Sequence, residues 1–167
     1  MTERIWAPWR MEFIRGADKP SGCVLCGYVA ATPSRDNGVL ARGRHAYVVL
    51  NKYPYTAAHS MVVPFVHTSS LGELEPDAHD ELFRLVTRAS AALTAVTRAE
   101  GMNIGLNLGR AAGAGIHEHL HVHLVPRWTG DNNFMPVLAD LRVMPEHLAA
   151  TWDALRPAFA ALEEDRP

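Results

Sequence analysis

The sequence predicts an α+β fold in which an antiparallel sheet packs against helices. Two short β-branched runs, residues 47–50 and 61–64, are separated by a segment of turn-forming residues and predict neighbouring strands. Between Pro76 and Gly101 the apolar residues recur every three or four positions, which predicts one long amphipathic helix. A helix placed between runs of strands is typical of α+β domains with an antiparallel sheet.

The second half of the chain continues this pattern. Residues 102–108 are predicted to form a strand, and the small residues at 109–115 a loop that leads into a histidine-rich strand. A second helix is expected from Pro145 to about Leu162, and Pro157 is expected to kink or end it.

The composition predicts a single globular domain over residues 1–167. At 167 residues and 48% hydrophobic, the chain is long and apolar enough to bury a core. Residues 1–22, which contain Trp6 and Trp9, are expected to form an N-terminal arm, and residues 128–167 a C-terminal extension.

The charge balance argues against a polymeric nucleic acid or a membrane as partner. Sixteen basic against 18 acidic residues give a formal charge of −2, without the basic block that marks such partners. No apolar run approaches the roughly 20 residues of a membrane span, and the start of the sequence lacks the apolar stretch of a signal peptide. We therefore expect a cytoplasmic protein.

Histidine occupies every second position from His117 to His123. Because a β-strand directs alternate side chains to opposite faces, this spacing predicts four imidazoles on one face and apolar side chains on the other. A polar sheet face with incidental histidines would be an unusual explanation for such regularity. Histidine can attack, carry protons or bind metal near neutral pH, so this segment is the predicted site of chemistry.

Two chemistries compete for such a strand. Three imidazoles could bind a catalytic zinc, but residues i, i+2 and i+4 of one strand spread over about 13 Å, too far for three to share one ion. Alternatively, a neutral ring nitrogen could attack phosphorus and form a covalent intermediate, while neighbouring histidines orient it or protonate the leaving group. Strand geometry favours the nucleophile.

The loop before the histidines supports a phosphate as the target. The triplet Gly113, Ala114 and Gly115 leaves the backbone unencumbered, so that its N–H groups can approach phosphate oxygens. The same triplet could also be a plain tight turn.

The only two cysteines, Cys23 and Cys26, form a C-x-x-C pair that predicts half of a zinc site. The other two ligands would have to be histidines far along the chain.

Residues 119–125 resemble the signature of the histidine triad family, in which three histidines alternate with apolar residues. Pro126 and Arg127 continue the match as in the fragile-histidine-triad branch, whereas a frame starting at His117 would put Glu118 at an apolar position. The likeness extends back to the cysteine pair and covers most of the chain.

The resemblance implies an α+β homodimer that cleaves nucleotides at the α-phosphate through a nucleotidyl-histidine. His121 would be the nucleophile, with His119 and His123 beside it and His59 as an active-site neighbour. The implied nucleotide-binding residues are Leu50, Asn51, Asn107, Gly113, Ala114, Gly115 and His123. Both asparagines could instead be turn or strand-end residues.

Within the family, the W-A-P-W-R start and the residues after the triad most resemble bacterial diadenosine tetraphosphate phosphorylases. That branch implies a dinucleoside polyphosphate as substrate and inorganic phosphate as acceptor. Similar scaffolds hydrolyse dinucleoside polyphosphates or nucleoside phosphoramidates, which are the alternatives. A non-catalytic module that binds nucleotide or zinc is an alternative of another class.

The resemblance also implies a zinc ligand set, because some relatives assemble zinc from equivalent positions. These are Cys23, Cys26, His67 and His119. Two thiolates and two imidazoles make a closed tetrahedral set, so the ion would be structural and is expected to take no part in bond cleavage.

Overall fold

The computed structural model of the protein describes residues 22–131 and 146–164, which form an antiparallel sheet covered by two helices. The order of the five strands in the sheet is β1-β2-β3-β5-β4. This confirms the predicted α+β class. The strands are β1 (Val39–Arg42), β2 (Ala46–Leu50), β3 (Ser60–Pro64), β4 (Gly101–Leu106) and β5 (Val122–Arg127), and the helices are α1 (Pro76–Thr97) and α2 (Leu148–Glu164).

The central strands β2 and β3 are buried along their whole length because both faces of the sheet are covered. Helices α1 and α2 cover one face and enclose the main core, which includes Val48, Val62 and Leu124. The segment before β1 covers the other face, where the Tyr47 hydroxyl donates a hydrogen bond to the carbonyl of Leu25 at 2.7 Å. The predicted strands at 47–50 and 61–64 are confirmed.

Helix α1 forms where the apolar periodicity predicts it. Pro76 occupies its first turn, where its missing N–H leaves no hydrogen bond unmade. The helix ends at Thr97 because Arg98 adopts a left-handed conformation with φ of 54°, and Gly101 already begins β4. The side chains buried from α1 are Ala78, Leu82, Leu85, Val86, Ala89 and Leu93.

Helix α2 continues through Pro157 to Glu164, so the proline does not end it. It is anchored to the sheet by two side chains that donate to carbonyls of β1. The indole Nε1 of Trp152 bonds the Val39 carbonyl at 2.9 Å, and Arg156 bonds the Leu40 carbonyl at 2.8 Å. The predicted helix start at Pro145 lies outside the described residues, as do Trp6 and Trp9 of the expected arm.

The histidine segment is only partly a strand, which corrects the expectation that all four histidines lie in the sheet. β5 begins at Val122, because upstream of it the backbone turns away, and the Leu120 N–H donates to the Thr68 carbonyl at 2.7 Å. The alternation of side chains nevertheless continues, since Leu120 packs in the same core as Val122 and Leu124. The predicted strand at 102–108 likewise ends earlier, at Leu106.

Within the described ranges, neither helix has the length and apolar character that crossing a bilayer would require.

Candidate functional site

Four histidine side chains lie together where β3 and β5 meet, on the sheet face opposite the helices. His59, His119 and His121 are almost completely buried. His123 is in β5, and its register places it between Met61 of β3 and Gly105 of β4. A Cβ on Gly105 would meet no atom within 4 Å, so the surface beside His123 is open. The sheet face beside His123 is therefore open to a small molecule. We call the face formed by His59, His119, His121 and His123 the histidine surface.

The ring of His121 is oriented by the backbone carbonyl of a neighbouring residue, His119. Its Nδ1 lies 2.9 Å from the carbonyl oxygen of His119. A carbonyl only accepts hydrogen bonds, so Nδ1 must carry the proton. In the neutral ring Nε2 is then unprotonated and holds the lone pair that a nucleophile needs.

His59 and His123 form a directly bonded pair, with 2.9 Å between Nε2 of His59 and Nδ1 of His123. The backbone N–H of Tyr55 donates to Nδ1 of His59 at 3.0 Å, so a neutral His59 carries its proton on Nε2 and donates it to His123. Nδ1 of His123 is therefore an acceptor. A neutral His123 carries its proton on Nε2, where it can be donated to a ligand.

Burial, and then the nearby His121, lower the pKa of His123 to about 4. The pKa of His119 is also lowered, mainly by burial. The charged form of a buried imidazole loses hydration, and no carboxylate forms a hydrogen bond with His123 in the described part of the chain. His123 is therefore a neutral hydrogen-bond donor at physiological pH.

The depressed pKa of His123 predicts that the folded protein loses stability in acid. Unfolded histidine titrates near 6.5 and folded His123 near 4, so between these values the unfolded state binds more protons. The contribution of His123 to the free energy of unfolding is fully present above about pH 6.5 and is lost as pH falls towards 4. Because the ring is partly exposed, we expect a loss on the order of 2 kcal/mol.

Urea unfolding of the native protein and of His123→Asn, at matched pH values across this window, measures the loss. The variant should show a flatter dependence on pH, whereas His79→Asn, at an exposed position on α1, should retain the native slope. Equal slopes in His123→Asn and the native protein would contradict the expectation.

The loop between β2 and β3 holds the His59 pair in place. The Asn51 N–H donates to the His59 carbonyl at 2.8 Å and closes the loop. The hydroxyl of Thr56 ties it to the Pro126 carbonyl of β5 at 2.9 Å. Ala58, just before His59, has a φ of 59°, which is strained for a residue other than glycine and is maintained by these contacts.

The predicted nucleotide-binding residues are distributed around this face. Asn51 accepts a hydrogen bond from the Tyr53 N–H at 2.9 Å, as a turn asparagine does, and its Nδ2 lies 3.4 Å from both ring nitrogens of His59. Asn107 follows β4 directly and is half-buried. Leu50 differs from the others, because its side chain packs in the main core under the sheet.

The glycine-rich loop after β4 adopts a conformation that requires glycine. Gly109 and Gly113 have φ of 80° and 85°, in the region that side chains disfavour. A Cβ on Gly113 or Gly115 would meet no atom within 4 Å, so the backbone faces open space. The half-buried Ala114 lies between them. The backbone of this loop is accessible to a ligand.

A second cluster lies beside the histidine surface and consists of Cys23, Cys26, His67 and His119. Their potential ligand atoms all lie within 4.8 Å of one another. The Nδ1 of His119 is 3.4 Å from the sulfur of Cys23 and 3.5 Å from that of Cys26, and Nδ1 of His67 is 3.2 Å from Cys26. Sulfur and nitrogen bound tetrahedrally to one zinc would be about 3.6 Å apart, given the usual bond lengths.

The chemistry of this cluster also fits a zinc ion. Nε2 of His119 lies 2.9 Å from the Pro64 carbonyl, so it carries the ring proton and leaves Nδ1 free to coordinate. Burial, and then the neighbouring Cys23, raise the pKa of Cys26, so a thiolate there needs a nearby cation. The residues present therefore suit a structural zinc.

His119 connects the two clusters. Its ring belongs to the Cys/His cluster and its carbonyl orients the ring of His121.

The sequence pattern did not reveal three further contributors to the site: the Pro64 carbonyl, the open position at Gly105, and Tyr55. Of these, only Tyr55 had a visible signal, an aromatic residue four positions before His59 in a turn-forming segment.

Comparison with known proteins gives consistent matches. The HIT domain family profile matches residues 33–130. AP-4-A phosphorylase of Mycobacterium tuberculosis is 40% identical over 165 residues, covering 95% of this chain and 85% of the relative.

Solved structures match as well. A Zn-bound histidine triad family protein from Mycobacterium smegmatis superimposes with a TM-score of 0.67 at 27% identity, over 84% of this chain and 95% of that protein. A hypothetical histidine triad nucleotide-binding protein from Sulfolobus tokodaii gives a TM-score of 0.67 at 26% identity, over 84% and 93% of the two chains.

Proposed function

The chain belongs to the histidine triad (HIT) family, and we propose that it cleaves dinucleoside polyphosphates at the α-phosphate through a nucleotidyl-histidine. The observation that carries the proposal is the orientation of His121, whose Nδ1–H is bonded to the His119 carbonyl so that Nε2 is left as a nucleophile. The similarity to AP-4-A phosphorylase of M. tuberculosis supports the substrate class.

In the first step Nε2 of His121 attacks the α-phosphorus. A nitrogen–phosphorus bond forms and the bond from phosphorus to the bridging oxygen breaks, so the remaining nucleoside polyphosphate leaves with the electron pair. The modified ring keeps its proton on Nδ1, and the His119 carbonyl stabilises the positive charge that the ring acquires. The Nε2–H of His123 donates to the phosphate, and the pair with His59 holds it in that tautomer.

In the second step an acceptor oxygen attacks phosphorus on the nucleotidyl-His121 and returns the electron pair to Nε2. With inorganic phosphate as acceptor, diadenosine tetraphosphate gives ADP and ATP. With water it gives AMP and ATP, and the proton that the water loses is released to solvent. We propose phosphate as the acceptor, on the strength of the similarity to the phosphorylase.

We assign substrate binding to residues around the histidine surface. Asn51, at the start of the β2–β3 loop, would meet the ribose, and Asn107 the phosphate region. Gly113, Ala114 and Gly115 would offer backbone N–H groups to phosphate oxygens, which their open surroundings support. Leu50 would contribute by placing the adjacent Asn51, since its side chain is in the core and its N–H donates to the Gly38 carbonyl at 2.9 Å.

We further propose that Cys23, Cys26, His67 and His119 hold one structural zinc. When bound, the ion would cross-link the segment before β1 to the residue that orients His121. The four protein donors leave no coordination position for a water or substrate, so bond cleavage is assigned to His121 alone.

Three further parts of the proposal concern the whole protein. We propose one domain over residues 1–167, a cytoplasmic location and a homodimer. The edge strand β4 supports the dimer, because Ile104 on it is 49% exposed and Leu108 just after it is 50% exposed.

Product analysis tests the proposed reaction. Incubation of the protein with diadenosine tetraphosphate should give ADP and ATP only when inorganic phosphate is present, because phosphate then resolves the intermediate. Formation of AMP in the absence of inorganic phosphate would show that water is the acceptor and that the protein is a hydrolase. Lack of turnover of both this substrate and nucleoside phosphoramidates would contradict an enzymatic role and favour a binding module.

A further inference from the structure

Two large aromatic side chains are exposed in the loop between β2 and β3. Tyr53 and Tyr55 are 48% and 38% exposed and flank Pro54. Tyrosine has a large apolar ring that favours burial or contact with a ligand. Exposed aromatic rings beside a phosphate-handling surface are typical platforms for nucleic-acid bases, because every base offers a flat face for stacking.

Of the two, Tyr55 is built into the histidine surface. Its ring centroid lies 4.5 Å from that of His59 and 5.9 Å from that of His123, and its plane is inclined by 28° to the His123 ring. Its backbone N–H bonds His59 at 3.0 Å. The ring contacts restrict the motion of the Tyr55 side chain, so stacking of a ligand on it would cost less conformational entropy than stacking on an unpacked ring.

The rings form a row that starts at the nucleophile. His121 contacts His123 at 4.8 Å between centroids, His123 contacts His59 at 5.1 Å, and Tyr55 lies at the far end against both of these. In phosphoryl transfer the leaving oxygen lies roughly opposite the nucleophile. The leaving half of the substrate therefore points away from His121, and His123 and then Tyr55 lie next along the row.

We propose that Tyr55 is a specificity residue that stacks on the base of the leaving nucleoside. This inference rests on the proposed function, in which the substrate is a dinucleoside polyphosphate. On this proposal, the Tyr55 ring makes the protein prefer substrates with a second nucleoside over substrates without one. Stacking requires a base but does not distinguish one base from another.

Two substrates that differ only in the second nucleoside test the proposal. Diadenosine tetraphosphate and adenosine 5′-tetraphosphate carry the same phosphate chain, but only the first has a leaving nucleoside. In Tyr55→Leu the ratio of their kcat/KM values should fall about tenfold, mainly through KM for diadenosine tetraphosphate, because one base–aromatic stack is lost. Tyr55→Phe should restore the native ratio, since the ring remains. His79→Asn, at an exposed position on α1, is the matched control.

An equal loss for both substrates would overturn the proposal, because it would mean that Tyr55 only positions His59. An unchanged ratio in Tyr55→Leu would overturn it as well.

Binding provides a readout that does not depend on turnover. Calorimetry with His121→Asn and with the His121→Asn, Tyr55→Leu double variant should show a tenfold weaker affinity for diadenosine tetraphosphate in the double variant, with a smaller change for adenosine 5′-tetraphosphate. If the native protein binds diadenosine tetraphosphate more tightly than adenosine 5′-tetraphosphate but turns over neither, the role of Tyr55 is upheld and the proposed reaction is contradicted. Equal affinity for the two ligands in His121→Asn would contradict the role of Tyr55.

Discussion

Replacement of His121 by asparagine should abolish turnover of diadenosine tetraphosphate, with kcat reduced by at least about 10³-fold. Asparagine can still donate to the His119 carbonyl, which His121 now bonds at 2.9 Å, but its side chain offers no basic nitrogen to attack phosphorus. The nucleotidyl intermediate then cannot form. Affinity for the substrate should change only a few-fold, because the surrounding contacts remain.

Single-turnover kinetics and calorimetry on the same preparation separate these two effects. The intermediate should be trapped as a labelled protein when the native enzyme is quenched with substrate radiolabelled at the α-phosphate, and His121→Asn should carry no label. His79→Asn serves as control, because that side chain is exposed on α1. Turnover by His121→Asn within tenfold of native would exclude His121 as the nucleophile and direct attention to His123.

If the proposed zinc is bound, replacement of His67 by asparagine should release it and lower the melting temperature. His67 is exposed, and at such a position a substitution ordinarily changes stability by about 0.5 kcal/mol or less. A zinc ligand behaves differently, because the metal contributes its binding free energy to folding. Loss of a supporting partner already weakens metal affinity 10–100-fold, so loss of a ligand should weaken it by at least about 100-fold.

Metal analysis and thermal unfolding, with and without a chelator, measure this effect. The native protein should contain about one zinc per chain, and chelation should lower its melting temperature to that of His67→Asn. His67 and His79 are both exposed and form a matched pair, since only His67 lies in the Cys/His cluster. A His67→Asn protein with native zinc content and melting temperature would show that the cluster is not a metal site.

Much of the fold could be predicted from local periodicity. The apolar positions of α1 and the β-branched runs of β2 and β3 follow patterns that depend only on helix and strand geometry. The start of β5 could not be predicted, because it depends on where its neighbours stop pairing. Val122 is the first residue of β5 and pairs with Val62 and Leu106, and the histidines before it lie outside the sheet.

The candidate site shows the same division. The alternation of His119, His121 and His123 with apolar residues indicated the chemistry, because side-chain direction alternates in any extended chain. Which nitrogen of each ring carries the proton could not be predicted. The position of the proton depends on the carbonyl or N–H that each ring contacts. The partner of His121 is two residues away in the sequence, whereas the partner of His119 is the Pro64 carbonyl at the end of β3.

The sequence by itself determined the fold class, the alternation of histidines with apolar residues and the C-x-x-C spacing, because these follow from local periodicity and spacing along the chain. The tertiary structure decided that Cys23 lies against His119, 96 residues away, that His59 bonds His123, 64 residues away, and that Tyr55 contacts this pair. The physical reason is that long-range contacts follow from strand order and loop closure, which bring together residues whose local sequences carry no record of one another.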